Sequence, residues 1–161
     1  MKRSLIFSQF LFWTELAAAG VTIRSCDETY TAKIDVRGTL VIKRDTRIVN
    51  SIKIDHDVLG GVFSLDNSLL IVYGAPNKID PVYPQVTHLS LYAVGEHRRT
   101  LVKEVYGGGV YGVAFSTDQR FASVENQFGI DVLNVRAKTT QSFDPTYVVG
   151  FSTQQCPTEL K

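Results

Sequence analysis

The chain offers few side chains that could do chemistry, and their spacing limits what that chemistry could be. There are three histidines, His56, His88 and His97. Only His56 has carboxylates on both sides, in Asp55-His56-Asp57. Such a triplet could hold a divalent cation or orient a general base, but consecutive residues on one turn seldom converge on a single point. His88 opens a strand-like run, and His97 sits in the polar turn Gly95-Glu96-His97-Arg98. No Gly-x-Ser-x-Gly elbow, phosphate-binding Walker loop or zinc-protease helix motif occurs. The run Gly107-Gly108-Gly109 lacks the Lys-Ser/Thr pair and the helix of a phosphate loop. The expectation is a protein that binds, with no enzyme chemistry, no metal and no cofactor.

The two cysteines, Cys26 and Cys156, stand near the two ends of the chain and outside its strand-rich middle. An even count in an exported protein favours a disulfide; the alternative is two separate buried thiols. A bridge here would close a loop of about 130 residues. Export is suggested by the N-terminus. Lys2 and Arg3 precede a mostly apolar stretch from Leu5 to Trp13, followed by the small residues Ala17, Ala18 and Ala19. That is the order of a secretory signal, so residues 1–19 are expected to be a cleaved leader and residues 20–161 one domain. The competing reading is a first buried strand or helix. Formal net charge is +1, near zero without the leader, and no basic stretch suits a phosphate backbone. Nucleic acid is therefore not an expected partner. No apolar run is long enough for a mature helix to span a bilayer.

From residue 29 onward the pattern is one of short strands. The predicted runs are 29–36, 39–43, 48–54, 62–64, 69–73, 88–94, 100–106, 111–115, 120–125, 129–135, 139–143 and a last strand, 147–151. They are rich in Val, Ile, Tyr, Phe and Thr and bounded by Gly, Asp and Asn. Residues 61–70 repeat in residues 113–122. Phe63, Ser64 and Asp66 in the first copy match Phe115, Ser116 and Asp118 in the second, and Leu89 to Val94 corresponds to Ile130 to Val135. The period is roughly 40–50 residues, that of a propeller blade. In each copy the Phe ends an inner strand, and the Ser and Asp form a turn in which short polar side chains bond the backbone.

This segment resembles the Val-x-Phe-Ser-x-Asp region of WD-repeat propellers, although the Trp-Asp dipeptide and the Gly-His pair are missing. The resemblance implies an all-β, incomplete β-propeller-like array of about three antiparallel four-stranded sheets. An ordinary β-sandwich with similar hairpins is the competing fold. Three blades are too few to close a ring, so an uncovered face must be capped by the chain itself, by a copy or by a partner. In a four-stranded blade the second-to-third strand loop and the connection to the next blade emerge at one end. Three segments belong there: 55–60, the insertion 74–86, and Tyr106-Gly107-Gly108-Gly109-Val110-Tyr111, joined by the short turn 125–127. His56, Asp57, Asn77, Tyr83, Asn126 and the residues from Tyr106 to Tyr111 are the expected partner contacts, because long loops on a rigid scaffold concentrate binding.

Size, leader, cysteine pair and partial propeller together resemble the periplasmic immunity proteins of bacterial type VI secretion systems, in particular those that neutralise cell-wall amidases. The resemblance implies an inhibitor that inserts an inter-strand loop, here Gly107 to Tyr111, into a toxin's papain-like active-site cleft. The alternatives are an envelope scaffold that closes its ring by self-assembly, possible as a homodimer, and a small hydrolase or lyase using His56 with Asp55 or Asp57.

Overall fold

A computed structural model describes residues 20–95 and 99–156. The expected leader and the His97 turn lie outside these residues. Twelve strands account for the regular structure among the described residues: β1 (Ile23–Arg24), β2 (Tyr30–Ile34), β3 (Thr39–Arg44), β4 (Arg47–Lys53), β5 (Gly60–Phe63), β6 (Leu69–Gly74), β7 (Thr87–Ala93), β8 (Arg99–Tyr106), β9 (Val110–Phe115), β10 (Phe121–Asn126), β11 (Gly129–Asn134) and β12 (Thr139–Phe143). They form three four-stranded sheets, β1–β4, β5–β8 and β9–β12, each an antiparallel meander in chain order. None closes into a barrel. The chain is all-β, as its strand pattern implied.

The sheets stack because their strands alternate. In β6, Leu70 and Val72 face the first sheet while Ile71 faces the third. One core therefore lies between sheets one and two, around Leu40, Ile42, Phe63, Leu70 and Tyr92. A second lies between sheets two and three, around Leu89, Leu91, Phe115, Val124 and Leu133. The first strands meet, β1 against β5 and β5 against β9. Burying one large apolar side chain stabilises by about 1.5–3 kcal/mol, so the middle sheet, apolar on both faces, ties the other two together.

In each sheet the same kind of turn joins the first strand to the second. In the second, the Ser64 hydroxyl donates to Asp66 Oδ1 (2.7 Å) and accepts the Leu69 N–H (2.9 Å). Ser116 does the same with Asp118 (2.7 Å) and Phe121 (3.0 Å). The first sheet has a third copy, which the repeat in the sequence did not disclose: Ser25 bonds Asp27 (2.6 Å) and the Tyr30 N–H (2.9 Å). The fourth residue of each turn, Glu28, Asn67 or Gln119, has φ near +60°. The turns also bond one another. Asn67 Nδ2 donates to Asp27 (2.8 Å), and the Gln119 amide nitrogen donates to Asp66 (2.8 Å).

Two sequence expectations change at the edges. Residues 147–151 do not form a strand, because they pair with no neighbour. The chain turns at Asp144, where the Tyr147 N–H bonds the Asp144 carbonyl (3.1 Å). Tyr147 then stacks on Phe143 (3.8 Å) and Phe151 on Phe121 (5.7 Å). By register Phe143 and Phe121 point away from the second core, so the tail covers the outer face of sheet three. Val36, the last residue of the expected run 29–36, lies outside the strand and is fully exposed, because Asp35 ends the strand by accepting the Arg37 and Thr39 N–H groups. Beyond Phe151 the tail crosses the stack. Thr153 bridges Ser116, Gln154 bonds the Leu65 N–H (3.1 Å) and the Phe63 carbonyl (2.6 Å), and Cys156 forms a disulfide with Cys26.

Candidate functional site

Meander topology separates two ends. The Ser-x-Asp turns and the disulfide lie at one, here the turn end. At the other, the loop end, are the second-to-third strand loops and both connections between sheets. All four loop segments expected from the sequence occur at the loop end, and they associate in two pairs.

In the first pair, the connection 55–60 zips onto the start of the insertion 74–86. His56 bridges Pro76, the Asp57 N–H bonds the Ala75 carbonyl (2.8 Å), and the Asn77 N–H bonds the Asp55 carbonyl (3.0 Å). Gly74 is needed here, since a Cβ would strike the Asp57 carbonyl. Asp57, Asn77 and Tyr83 are exposed. Tyr83 projects from successive turns closed by its N–H to Asp80 (3.0 Å) and by the Val86 N–H to its own carbonyl (3.2 Å).

His56 is placed differently from its sequence expectation. It is fully buried. Nδ1 lies 2.6 Å from the Asp57 carbonyl, which can only accept, so Nδ1 carries the proton and Nε2 accepts from the Ser90 hydroxyl at 3.0 Å. Burial lowers its pKa, more than the Asp57 carbonyl and Asp55 raise it. A neutral core imidazole with both nitrogens engaged presents nothing to a partner, and Asp55 faces Lys103 Nζ (3.0 Å) instead.

In the second pair, 106–111 packs on 125–128. The Gln127 N–H bonds the Gly109 carbonyl (3.1 Å). The three glycines differ in role. Gly107 has open space beyond Phe128, whereas a Cβ at Gly108 would collide with the Gln127 side chain. A bulky residue at position 108 would therefore disturb the loop's own packing. Val110 and Tyr106 are buried and anchor the loop, while Tyr111 and Phe128 project from it, each 67% exposed. Asn126 closes the β10–β11 turn by accepting the Phe128 N–H (2.9 Å).

Beside this pair is a cleft of about 210 Å³, bordered by Glu104, Tyr106, Gly107, Asn126, Phe128 and Asp131. Glu104 and Tyr106 share the inward face of β8 with Val102, and Asp131 shares that of β11 with Leu133. Glu104 Oε1 accepts from the Thr140 hydroxyl (2.9 Å). The Tyr106 hydroxyl is buried without a hydrogen-bond partner. Burial pushes its pKa well up, and the Asp131 and Glu104 carboxylates add to the effect. Sequence reasoning passed over Glu104 and Asp131; the available signal was a carboxylate at an inward position of an alternating strand.

The exposed apolar side chains concentrate at this end, among them Leu59, Ile79, Val82, Tyr83, Tyr111 and Phe128. No protein-family model matches the chain, and no curated protein matches it in sequence.

Proposed function

We propose that the chain is an exported inhibitor that binds a secreted hydrolase by its loop end, in the manner of a periplasmic immunity protein against a peptidoglycan amidase. The observation that carries this reading is the pair Tyr111 and Phe128, two exposed aromatics flanking a glycine loop that the sheets hold from below. Exposed aromatics on rigid elements give much contact area at little entropic cost. Gly107, with no side chain, lets the partner's backbone approach closely. The mechanism is steric: the loop fills the cleft and denies substrate access. The Cys26–Cys156 disulfide suits an oxidising compartment such as the periplasm, in line with the leader expected at residues 1–19.

Self-assembly into a closed ring has less support. The outer face of sheet three is covered by the chain's own tail. The outer face of sheet one carries Arg24, Lys33, Lys43 and Lys53, a surface that is stable in water without a cover.

The test is to capture partners with the chain from an extract of its native organism, identify them, and measure peptidoglycan hydrolysis by the captured protein with and without the chain. Inhibition at one-to-one stoichiometry is expected. Capture of no hydrolase, or of one whose activity is unchanged by excess chain, would reject the reading.

A further inference from the structure

We infer that the cleft between β8 and β10–β12 receives one basic side chain, a lysine or arginine, from the bound protein. This rests on the reading of the loop end as a partner-binding surface, and it supplies the recognition chemistry there.

Three observations combine. The first is the pair of inward carboxylates. Strands β8 and β11 place Glu104 and Asp131 at positions whose alternation points into the second core. The ion pairs among the described residues join Asp55 to Lys103 and His88, and Asp118 to Arg120; neither Glu104 nor Asp131 takes part. Two carboxylates bordering one cleft with no cation paired to either offer a bound cation two charged acceptors.

The second is Tyr106, which borders the same cleft, is only 7% exposed and leaves its hydroxyl without a hydrogen bond of good geometry, the Asp131 carboxylate alone standing near enough to act on it. Buried hydroxyls are nearly always paired, so this one marks a missing partner. An ammonium or guanidinium donates to all three groups, and neither an anion nor an apolar group can.

The third is shape and place. About 210 Å³ suits the end of one side chain and not a peptide segment. Phe128 and Val105, which border the cleft, can line the aliphatic stem. The mouth opens beside Gly107, so a partner seated on the glycine loop can reach it.

The probe is n-butylguanidinium, titrated into the isotopically labelled chain and followed by amide shifts, with the isosteric neutral n-butylurea as control. Saturable shifts at Gly107, Asn126, Phe128 and Asp131 are expected, with affinity at least fivefold above that of n-butylurea. The variant E104Q/D131N should lower that affinity at least tenfold while keeping a dispersed folded spectrum, and Tyr106→Phe should lower it a few-fold. Equal binding of n-butylurea, shifts unaltered by E104Q/D131N, or no shifts in a folded chain would overturn the cleft as a cation receptor, whether or not the chain inhibits a hydrolase. A second arm measures Asp131→Lys against the captured partner. A tenfold or larger loss is expected, and unchanged partner affinity would overturn the partner's side chain as the occupant even if the probe binds.

Discussion

The two ends of the sheet stack solve opposite problems with the same strands. At the turn end, the first turn of each sheet holds a buried serine that bonds both an aspartate and a backbone N–H, and successive turns are tied by Asn67 to Asp27 and Gln119 to Asp66. The tail and the disulfide then cross all three sheets. Most polar groups there are spent on one another, with Asn67 Oδ1 the exception. At the loop end the backbone is also zipped, by Asp57 to Ala75 and Gln127 to Gly109, but the side chains are left unspent. Tyr83, Tyr111 and Phe128 face solvent, and the Tyr106 hydroxyl has no partner. One end fixes the relative positions of the sheets so that the other can hold a surface in place. Stability and binding should therefore respond to mutation at opposite ends.

The largest stability loss should follow removal of the disulfide. Cys26→Ser with Cys156→Ser frees a chain segment spanning 130 residues, which by loop entropy costs about 4–5 kcal/mol. Urea unfolding of the variant should show a lower midpoint. The serines come next. Ser64→Ala strands the Leu69 N–H and one hydrogen bond of Asp66, a loss of about 1–3 kcal/mol, and Ser25→Ala should cost a similar amount if the first turn belongs to the same set. Equal midpoints for wild type and Ser25→Ala would remove the first turn from that set.

The glycine loop sharpens the contrast. Gly108→Trp forces Gln127 aside and should lower thermal stability measurably. Gly107→Trp, with space beyond Phe128, should leave the melting temperature within a degree or two while still blocking the partner. The smallest effect at neutral pH, and a diagnostic one in acid, belongs to the aspartates of the turns. The Ser25 hydroxyl is the largest influence on Asp27; burial opposes it, but with Thr29 and Asn67 added the pKa is held down to about 2. Asp118 is lowered chiefly by Ser116. For Asp66, burial acts against the charged form, but Ser64 and Ser68 outweigh it and the pKa still falls. A folded pKa below the unfolded one means that the unfolded chain binds more protons in acid. The stability these groups add is thus complete above about pH 4 and is lost as pH falls toward 2. Midpoints measured at descending pH should drop in that window, and the drop should shrink in Asp27→Asn.

How much of this was legible in the sequence depended on whether the signal was local. Alternation and turn residues located eleven of the twelve strands, because period two and bounding Gly, Asp and Asn are written within a few residues. Strand β1 was missed. It is two residues long, and Arg24 stands where Phe63 and Phe115 precede the serine in the other copies. Residues 147–151 have strand-like composition, but their aromatics are used to cover a sheet face and not to extend a ladder. The association of 106–111 with Asn126 was visible from meander topology alone. The burial of His56 was not, since its partner Ser90 is 34 residues away in another strand. Nor was the cleft, because Glu104, Tyr106 and Asp131 meet only when two sheets pack.

The central claim, that the loop end and not the turn end holds the partner, is tested most directly by matched pairs of exposed apolar residues. Tyr111→Ala with Phe128→Ala removes one pair at the loop end, and Ile48→Ala with Val49→Ala removes another at the turn end. Affinity for the captured hydrolase is then measured by calorimetry for both. The expected result is a loss of more than tenfold for the first pair and a change of less than about twofold for the second, with both variants folded. Equal losses, or the larger loss at Ile48 and Val49, would contradict it.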